Sequence, residues 1–214
     1  MSNENTQPNV QSLQRALVEL SLAYEATVEG FARALEVRDK EIIGHTHQVT
    51  EITARLAGVV GVDKEALPHL RRGALLHDIG KLGIPESIVQ KPGPLTTAEW
   101  NVIRMHPRIA YDLLSPITYL HPALDIPYCH HERWDGSGYP QGLKGNQIPL
   151  SARIFAVVDV WDALISERPF RKAWSEYQAS KYIQDRAGSH FDAEIVNIFL
   201  NEEFKKKVTS SLIK

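Results

Sequence analysis

The sequence predicts an all-α protein. Apolar residues recur at three- and four-residue steps through most of the 214-residue chain, which is the spacing of one face of an α-helix. No segment shows the apolar–polar alternation that is typical of a half-buried β-strand. Glycine, proline and capping residues divide the chain into segments of helical length. We therefore predict seven or eight helices around one site, in a chain long enough for a substantial hydrophobic core.

The first predicted helix covers residues 13–37 and follows a polar stretch, residues 1–12, that is predicted to be flexible. Because this helix exceeds the average length in globular proteins, two interpretations stay open. It is either the first core helix or a projecting helix for dimerisation or signalling. Its apolar positions are Leu13, Leu17, Leu20, Tyr24, Val28, Phe31 and Leu35.

Capping and helix-breaking residues delimit the remaining helices. Thr96 and Thr97 are candidate N-caps of a helix that should break at the His106-Pro107 pair. Ser151 is the candidate N-cap of the most apolar helix. Residues 133–150 contain four glycines and two prolines without helical periodicity, which predicts a loop. The other predicted helices cover residues 40–59, 66–77, 125–131, 151–165, 176–186 and 192–204.

Composition excludes several classes of protein. The 24 Lys and Arg residues against 26 Asp and Glu give a formal net charge of −2, which argues against binding a nucleic-acid polymer through a basic face. The single cysteine excludes a disulfide framework and a Cys-rich metal site. The longest apolar run, Ile154 to Val158, is far shorter than the roughly 20 residues of a membrane span. We expect no membrane insertion and a cytoplasmic location.

Metal-ligand residue types occur at five separated places. Glu41 and His45 lie four residues apart and therefore share one face of a helix. Asp159 lies in an apolar stretch, where an unpaired carboxylate is costly to bury. Taken alone, most of the five places have an ordinary alternative, such as a solvated helix face or a histidine at a helix end. The remaining candidates are His77, Asp78, His106, His130 and His131.

The candidates are more informative together. Eight ligands exceed the four or five that one ion uses, which favours two or three ions with a bridging carboxylate. Imidazole and carboxylate ligands suit iron, manganese, cobalt, nickel or zinc. Paired ions of this kind activate water and stabilise the displaced oxygen in phosphate ester hydrolysis.

Two motifs then identify a family. His77-Asp78-Ile79-Gly80-Lys81 resembles the signature of the HD phosphohydrolase superfamily. The stretch from His130 to Pro140 is similar to the extended motif of its HD-GYP subfamily. The resemblance implies an HD-domain helical bundle around a di- or trinuclear metal site, with a catalytic domain that we place at residues 34–206.

The resemblance also implies an activity. Members of the subfamily open cyclic di-GMP to linear pGpG, and some continue to GMP, in bacterial second-messenger signalling. Asp78 is the implied bridging ligand and a catalytic residue. A glutamate four residues before the first ligand histidine is typical of members with three ions, often iron, with manganese as the other candidate. The implied metal ligands are Glu41, His45, His77, Asp78, His106, His130, His131 and Asp159.

Five residues are the candidates for contacts with substrate. Lys81 is the candidate transition-state stabiliser and phosphate contact. Arg168 and Arg171 suit phosphate recognition. Tyr139 is expected to stack on the ligand or to hydrogen-bond to it. Asp162, one helical turn after Asp159, is expected either to touch guanine or to orient a metal ligand.

Alternatives remain at this stage. The chain is either a cyclic-di-GMP phosphodiesterase or an HD phosphohydrolase that acts on another cyclic dinucleotide or nucleotide. A third reading is a non-catalytic module that senses the dinucleotide. The expected partners are cyclic di-GMP, a second copy of the chain through the N-terminal helix, and a signalling protein.

Overall fold

The structure, a computed structural model, describes residues 10–39, 44–167 and 172–201. Throughout these ranges the chain forms helices and contains no β-strand, which confirms the predicted all-α class. The α-helices are α1 (Val10–Asp39), α2 (His45–Val60), α3 (Leu67–Leu75), α4 (Glu86–Val89), α5 (Thr97–Ile103), α6 (His106–Leu114), α7 (Asp125–Cys129), α8 (Leu150–Ile165), α9 (Glu176–Gln184) and α10 (Ala193–Phe199). Three 3₁₀ helices cover Ile79–Gly83, Thr118–Ala123 and Gly145–Gln147.

Two of these helices, α4 and α6, were not predicted from the sequence. The His106-Pro107 pair does more than end a helix, because a proline is tolerated in the first turn and α6 begins at that pair. The long first helix begins at Val10 instead of Leu13 and ends at Asp39. The N-cap assigned to Ser151 is wrong, since α8 already begins at Leu150 and Pro149 occupies the N-cap position.

The core is built around α8 and α2. Residues 154–158 of α8 are all buried, and they pack in one cluster with Ile52 and Leu56 of α2, Leu70 of α3 and Phe199 of α10. A continuous apolar run suits this position, because α8 is surrounded by other helices. None of the described helices is both long enough and apolar enough to cross a membrane.

Helix α1 joins the domain through its C-terminal half and the residues just before that half. Val28, Ala32, Leu35 and Glu36 are its buried residues. Val28 packs in a second cluster with residues of α3, α6 and two 3₁₀ helices. Just before it, Glu25 accepts a hydrogen bond of 2.9 Å from Nε of the buried Arg72. Tyr24 also stacks on Tyr119, with 4.7 Å between the ring centroids, whereas the residues of α1 before Ser21 are all exposed and form its projecting part.

Candidate metal centre

Four of the predicted ligands meet at the ends of short helices. Asp78 lies between α3 and the 3₁₀ helix Ile79–Gly83, and His106 is the first residue of α6. His130 and His131 directly follow α7. Each of these four residues offers one ligand atom, and these atoms all lie within 4.8 Å of one another. The sequence separates them by as many as 53 positions, so the tertiary structure brings them together.

The Asp78 carboxylate is the centre of this cluster. Its Oδ1 lies 3.2 Å from Nε2 of His106 and 3.9 Å from Nε2 of His130. Its Oδ2 lies 3.1 Å from Nε2 of His77 and 2.7 Å from Nζ of Lys81. One carboxylate therefore faces three imidazoles and an ammonium group.

Backbone carbonyl oxygens orient three of the histidines. Nδ1 of His77 lies 2.8 Å from the carbonyl oxygen of Ala74. Nδ1 of His106 lies 2.8 Å from the carbonyl oxygen of Ile103, and Nδ1 of His130 lies 3.0 Å from the carbonyl oxygen of Ile126. A carbonyl oxygen only accepts hydrogen bonds, so each Nδ1 must donate its proton, and in the neutral ring the Nε2 lone pair is then free to bind a metal.

This orientation creates an unfavourable contact unless a cation is present. Nε2 of His106 lies 3.2 Å from Nε2 of His130. Two neutral imidazoles that both donate through Nδ1 would direct two lone pairs at each other across this distance. A metal ion next to Asp78 would accept both lone pairs. The donor set therefore fits the divalent ions that the sequence predicts.

The protonation states also suit metal binding. Burial, together with the neighbouring histidines, holds the pKa of His130 well below its ordinary value and lowers the pKa of His131 to about 3. Burial also lowers the pKa of His106. Burial acts to raise the pKa of Asp78, but Lys81 and His77 outweigh it and hold this pKa well below its ordinary value. At neutral pH these three histidines are neutral and Asp78 is ionised, which are the forms that bind metal.

His77 differs from the other histidines of the cluster. Burial acts to lower its pKa, but the charge and hydrogen bond of Asp78 outweigh burial and raise the pKa to about 9. A metal ion that binds His77 must therefore displace a proton from it at neutral pH.

A second group of predicted residues lies on α2 and α8. Nδ1 of His45 lies 3.0 Å from Oδ2 of the fully buried Asp162. Asp162 also accepts hydrogen bonds from Ser166 Oγ at 3.0 Å and from Gln48 Nε2 at 3.4 Å. Its oxygens are thus engaged inside the protein, which favours the role of orienting a metal ligand over contact with guanine.

Asp159 connects the two groups electrostatically. Burial raises the pKa of its carboxyl group, and the charges of His77, Asp78 and His45 all act on it. A carboxylate in this position is stabilised when a cation binds beside it. Glu41, which was predicted to complete this side of the site, lies outside the described residues.

Two of the candidate substrate-binding residues, Lys81 and Tyr139, lie around the Asp78 cluster, whereas Asp162 lies beside His45. Lys81 contacts Asp78 and also approaches Asp39, with 3.6 Å between Nζ and Oδ2. The Tyr139 ring stacks on His131, with 4.7 Å between the ring centroids. Arg168 and Arg171 lie outside the described residues.

The loop that carries Tyr139 is held by Glu132. This buried carboxylate accepts hydrogen bonds from the backbone N–H of Gln141 at 2.7 Å and of Leu143 at 3.0 Å. The N–H of Tyr139 donates to the carbonyl oxygen of His131 at 3.1 Å. A Cβ at Gly138 would lie 2.3 Å from the backbone nitrogen of Arg133, so only glycine fits this turn.

Some residues of the site were not found from the sequence. Glu36 accepts hydrogen bonds from the N–H groups of Gly44 and Thr46, at 2.9 and 2.8 Å, and so holds the two neighbours of His45. Arg104 lies beside Tyr139. Nothing in the local pattern singles out Glu36, but the position of Arg104, two residues before His106, was a usable signal.

Comparisons with known proteins identify the family of the chain. A family model described as HD domain matches residues 29–195. The chain is 40% identical over 192 residues to the cyclic di-GMP phosphodiesterase response regulator RpfG of Xanthomonas campestris pv. campestris, an alignment that covers 89% of this chain and 51% of that protein. It is 35% identical over 186 residues to the 3'3'-cGAMP-specific phosphodiesterase 2 of Vibrio cholerae, with 86% and 36% covered. The chain thus spans about half of the first relative and about a third of the second.

A solved structure shares the fold. The cyclic GMP-AMP specific phosphodiesterase V-cGAP3 of V. cholerae superimposes with a TM-score of 0.63 at 18% sequence identity. The match covers 85% of this chain and 50% of that one. At this identity the likeness concerns the helical architecture.

Proposed function

Since the chain belongs to the HD domain family, we propose that it is a cytoplasmic, metal-dependent phosphodiesterase of bacterial second-messenger signalling. The proposed substrate is cyclic di-GMP, opened to pGpG and then cleaved further to GMP. The observation that carries the proposal is the meeting of Asp78 with His106, His130 and His131 within 4.8 Å. The relative named as a cyclic di-GMP phosphodiesterase supports the choice of substrate.

The chain's own residues have distinct roles in this reaction. Asp78, held ionised by Lys81 and His77, would bridge the ions, and His106, His130 and His131 would complete that side of the site. When bound, the ions lower the pKa of water and stabilise the displaced oxygen. The Lys81 ammonium group lies at the edge of this cluster, where it would neutralise charge that develops on the phosphate oxygens.

We propose three ions, with iron as the native metal and manganese as the alternative. His45, Asp159 and Glu41 would hold the third ion together with the residues around Asp78. The support is the hydrogen bond from His45 Nδ1 to Asp162, which orients the imidazole ring as carboxylate–histidine pairs do in metalloproteins.

The test uses protein purified without oxygen and loaded with Fe(II) or Mn(II). Elemental analysis should find three ions per chain, and added cyclic di-GMP should yield pGpG followed by GMP. A metal-loaded protein that binds the dinucleotide tightly without cleaving it would instead be a sensing module. A protein that neither binds nor cleaves it would contradict the proposal.

The relative specific for 3'3'-cGAMP makes that dinucleotide the second candidate substrate. A panel of cyclic di-GMP, 3'3'-cGAMP and cyclic di-AMP at equal concentrations separates the candidates by their kcat/KM values. The proposal predicts the highest kcat/KM for cyclic di-GMP. If either of the other dinucleotides gave a higher kcat/KM, that dinucleotide would be the proposed substrate instead.

We also propose that the projecting part of α1 pairs with a second copy of the chain. Four of its exposed apolar residues, Val10, Leu13, Leu17 and Leu20, recur at steps of three and four, which is the a/d repeat of a coiled coil, and each is at least 50% exposed. This seam continues to Tyr24, which also stacks on Tyr119, and to Phe31. Val18 and Leu22 are exposed as well but lie outside the repeat.

Light scattering tests the dimer with two matched variants. Leu17→Glu places a charge in the seam and should yield monomers, whereas Val18→Glu changes an equally exposed neighbour outside the seam and should not. A wild-type protein that is monomeric at high concentration would contradict the dimer. A signalling protein would then be the proposed partner of the seam.

A further inference from the structure

Arg104 extends the site outward from the metal cluster. It follows α5 directly and lies two residues before the ligand candidate His106. Its guanidinium carbon lies 5.5 Å from the centre of the Tyr139 ring, and that ring stacks on His131. The order from the cluster toward solvent is therefore His131, Tyr139 and Arg104.

Among the described residues, no carboxylate pairs with the charge of Arg104. Within the part of the chain that the structure describes, its guanidinium group forms no ion pair, and the side chain is exposed. Arg108, one helical turn later, offers the contrast, because its Nε lies 3.2 Å from Oδ1 of Asp112. Tyr139 attracts the Arg104 cation through its ring face but leaves the five N–H donors of the guanidinium group available.

The proposed substrate carries a charge that the metal cluster does not reach. A cyclic dinucleotide has two phosphodiester groups on opposite sides of its ring, and one of them must lie at the ions for cleavage. The other lies outside the cluster, where its negative charge needs a partner. A guanidinium fork matches the geometry of a phosphate better than any other side chain does.

We propose that Arg104 binds the uncleaved phosphodiester of the cyclic dinucleotide and that Tyr139 positions its guanidinium group for this contact. The inference rests on the proposed function, because it assumes a substrate with a second phosphate. Arg104 acts here as a substrate-binding residue, and the attacked phosphorus lies at the metal cluster.

Arg104→Met tests the contact, with Arg108→Met as the matched control. Loss of a hydrogen-bonded charge pair should raise KM for cyclic di-GMP about tenfold to a hundredfold while kcat stays within about twofold. Arg104→Lys keeps the charge but loses the fork, and should give an intermediate KM. Arg108→Met should match the wild type, because Arg108 is already paired with Asp112.

Bis(p-nitrophenyl) phosphate sharpens the test because it has one phosphodiester and no second one. Arg104→Met should hydrolyse it as fast as the wild type, which would also show that the site is intact. Equal losses on both substrates, or no loss on either, would overturn the inference. A loss on cyclic di-GMP but not on cyclic di-AMP would also overturn it, by pointing to a guanine contact.

The two proposals fail in distinguishable ways. If the wild type hydrolyses bis(p-nitrophenyl) phosphate but none of the cyclic dinucleotides, the proposed function is wrong and Arg104 has no second phosphate to bind. If the wild type cleaves cyclic di-GMP and Arg104→Met has an unchanged KM, only the inference about Arg104 is wrong.

Discussion

The candidate metal centre has two halves that are organised by different means. In the Asp78 half, formed by His77, Asp78, His106, His130 and His131, backbone carbonyl oxygens of helix ends orient three imidazoles. In the Asp162 half, formed by His45, Asp159 and Asp162, a buried carboxylate orients the histidine. The backbone geometry of the first half is part of the fold, whereas the second half depends on the side chains of Asp162 and Glu36. We therefore expect the Asp78 half to tolerate side-chain changes outside its ligands better, but to be sensitive to changes that displace its backbone.

Removal of the shared carboxylate should have the largest effect. Asp78→Asn keeps the shape of the side chain but loses the charge that faces three histidines and Lys81, so bound metal should be lost and kcat should fall by several orders of magnitude. Elemental analysis and turnover of cyclic di-GMP measure both effects. The control is His69→Ala, a histidine of α3 outside the cluster, which should keep metal and activity. An Asp78→Asn protein with normal metal content would contradict the bridging role.

A steric change should break the Asp78 half through its backbone. A Cβ at Gly80 would lie 1.9 Å from the carbonyl oxygen of His106, so Gly80→Ala must separate the 3₁₀ helix from α6. We expect a loss of roughly 3 kcal/mol or more in the free energy of unfolding, measured by urea denaturation. Gly58→Ala is the matched control, because a Cβ there meets nothing within 4 Å and should be neutral or stabilising. Equal stabilities of the two variants would show that the close approach is unimportant.

In the Asp162 half, loss of the carboxylate that orients His45 should lower the affinity for metal. Asp162→Ala removes the partner of His45 Nδ1, and loss of such a partner typically weakens metal binding by about tenfold to a hundredfold. Titration with metal and a competing chelator measures the change. Asp112→Ala, an exposed carboxylate on α6, should leave the affinity unchanged. If Asp162→Ala bound every ion as tightly as the wild type, the carboxylate would have no part in orienting His45.

Per pH unit, the smallest effect should be the pH dependence of the metal-free Asp78 half, at most about 1.4 kcal/mol in the free energy of unfolding for each titrating group. The pKa of His131 is lowered to about 3, by burial above all. Between about pH 6.5 and 3 the unfolded chain therefore takes up a proton that the folded chain does not, and the free energy of unfolding falls on acidification. His77, whose pKa is raised to about 9, has the opposite sign: its stabilisation is complete below about pH 6.5 and is lost as the pH rises through 9.

Urea denaturation of chelator-treated protein across this pH range measures the loss of stability at acidic pH and the loss at alkaline pH. His131→Gln should make the loss of stability at acidic pH less steep, because His130 and His106 still contribute to it, whereas His47→Gln, at an exposed position of α2, should not. Identical curves for the two variants would show that His131 does not titrate as proposed.

Much of the fold could be predicted because its signals are local. Apolar spacing within α8 and the Thr96 cap of α5, which forms a complete capping box with Glu99, depend on residues within a few positions of one another. The start of α6 was missed because a His-Pro pair is equally typical of a helix end and a helix start. The Ser151 cap was wrong because Pro149 takes the N-cap position, two residues earlier, and the helix begins at Leu150.

The sequence by itself determined which residues are able to bind metal and on which elements they lie, because ligand chemistry and helical spacing are properties of the residues and of short segments. Only the tertiary structure decided which of them meet. The contacts of Asp78 with His106 and His130 depend on distances between elements far apart in the chain. The same is true of the hydrogen bond between His45 and Asp162. The same holds for Arg104, whose position over Tyr139 depends on how α5 packs beside the loop after α7. Local patterns hold no information on such distances, since packing of the whole core sets them.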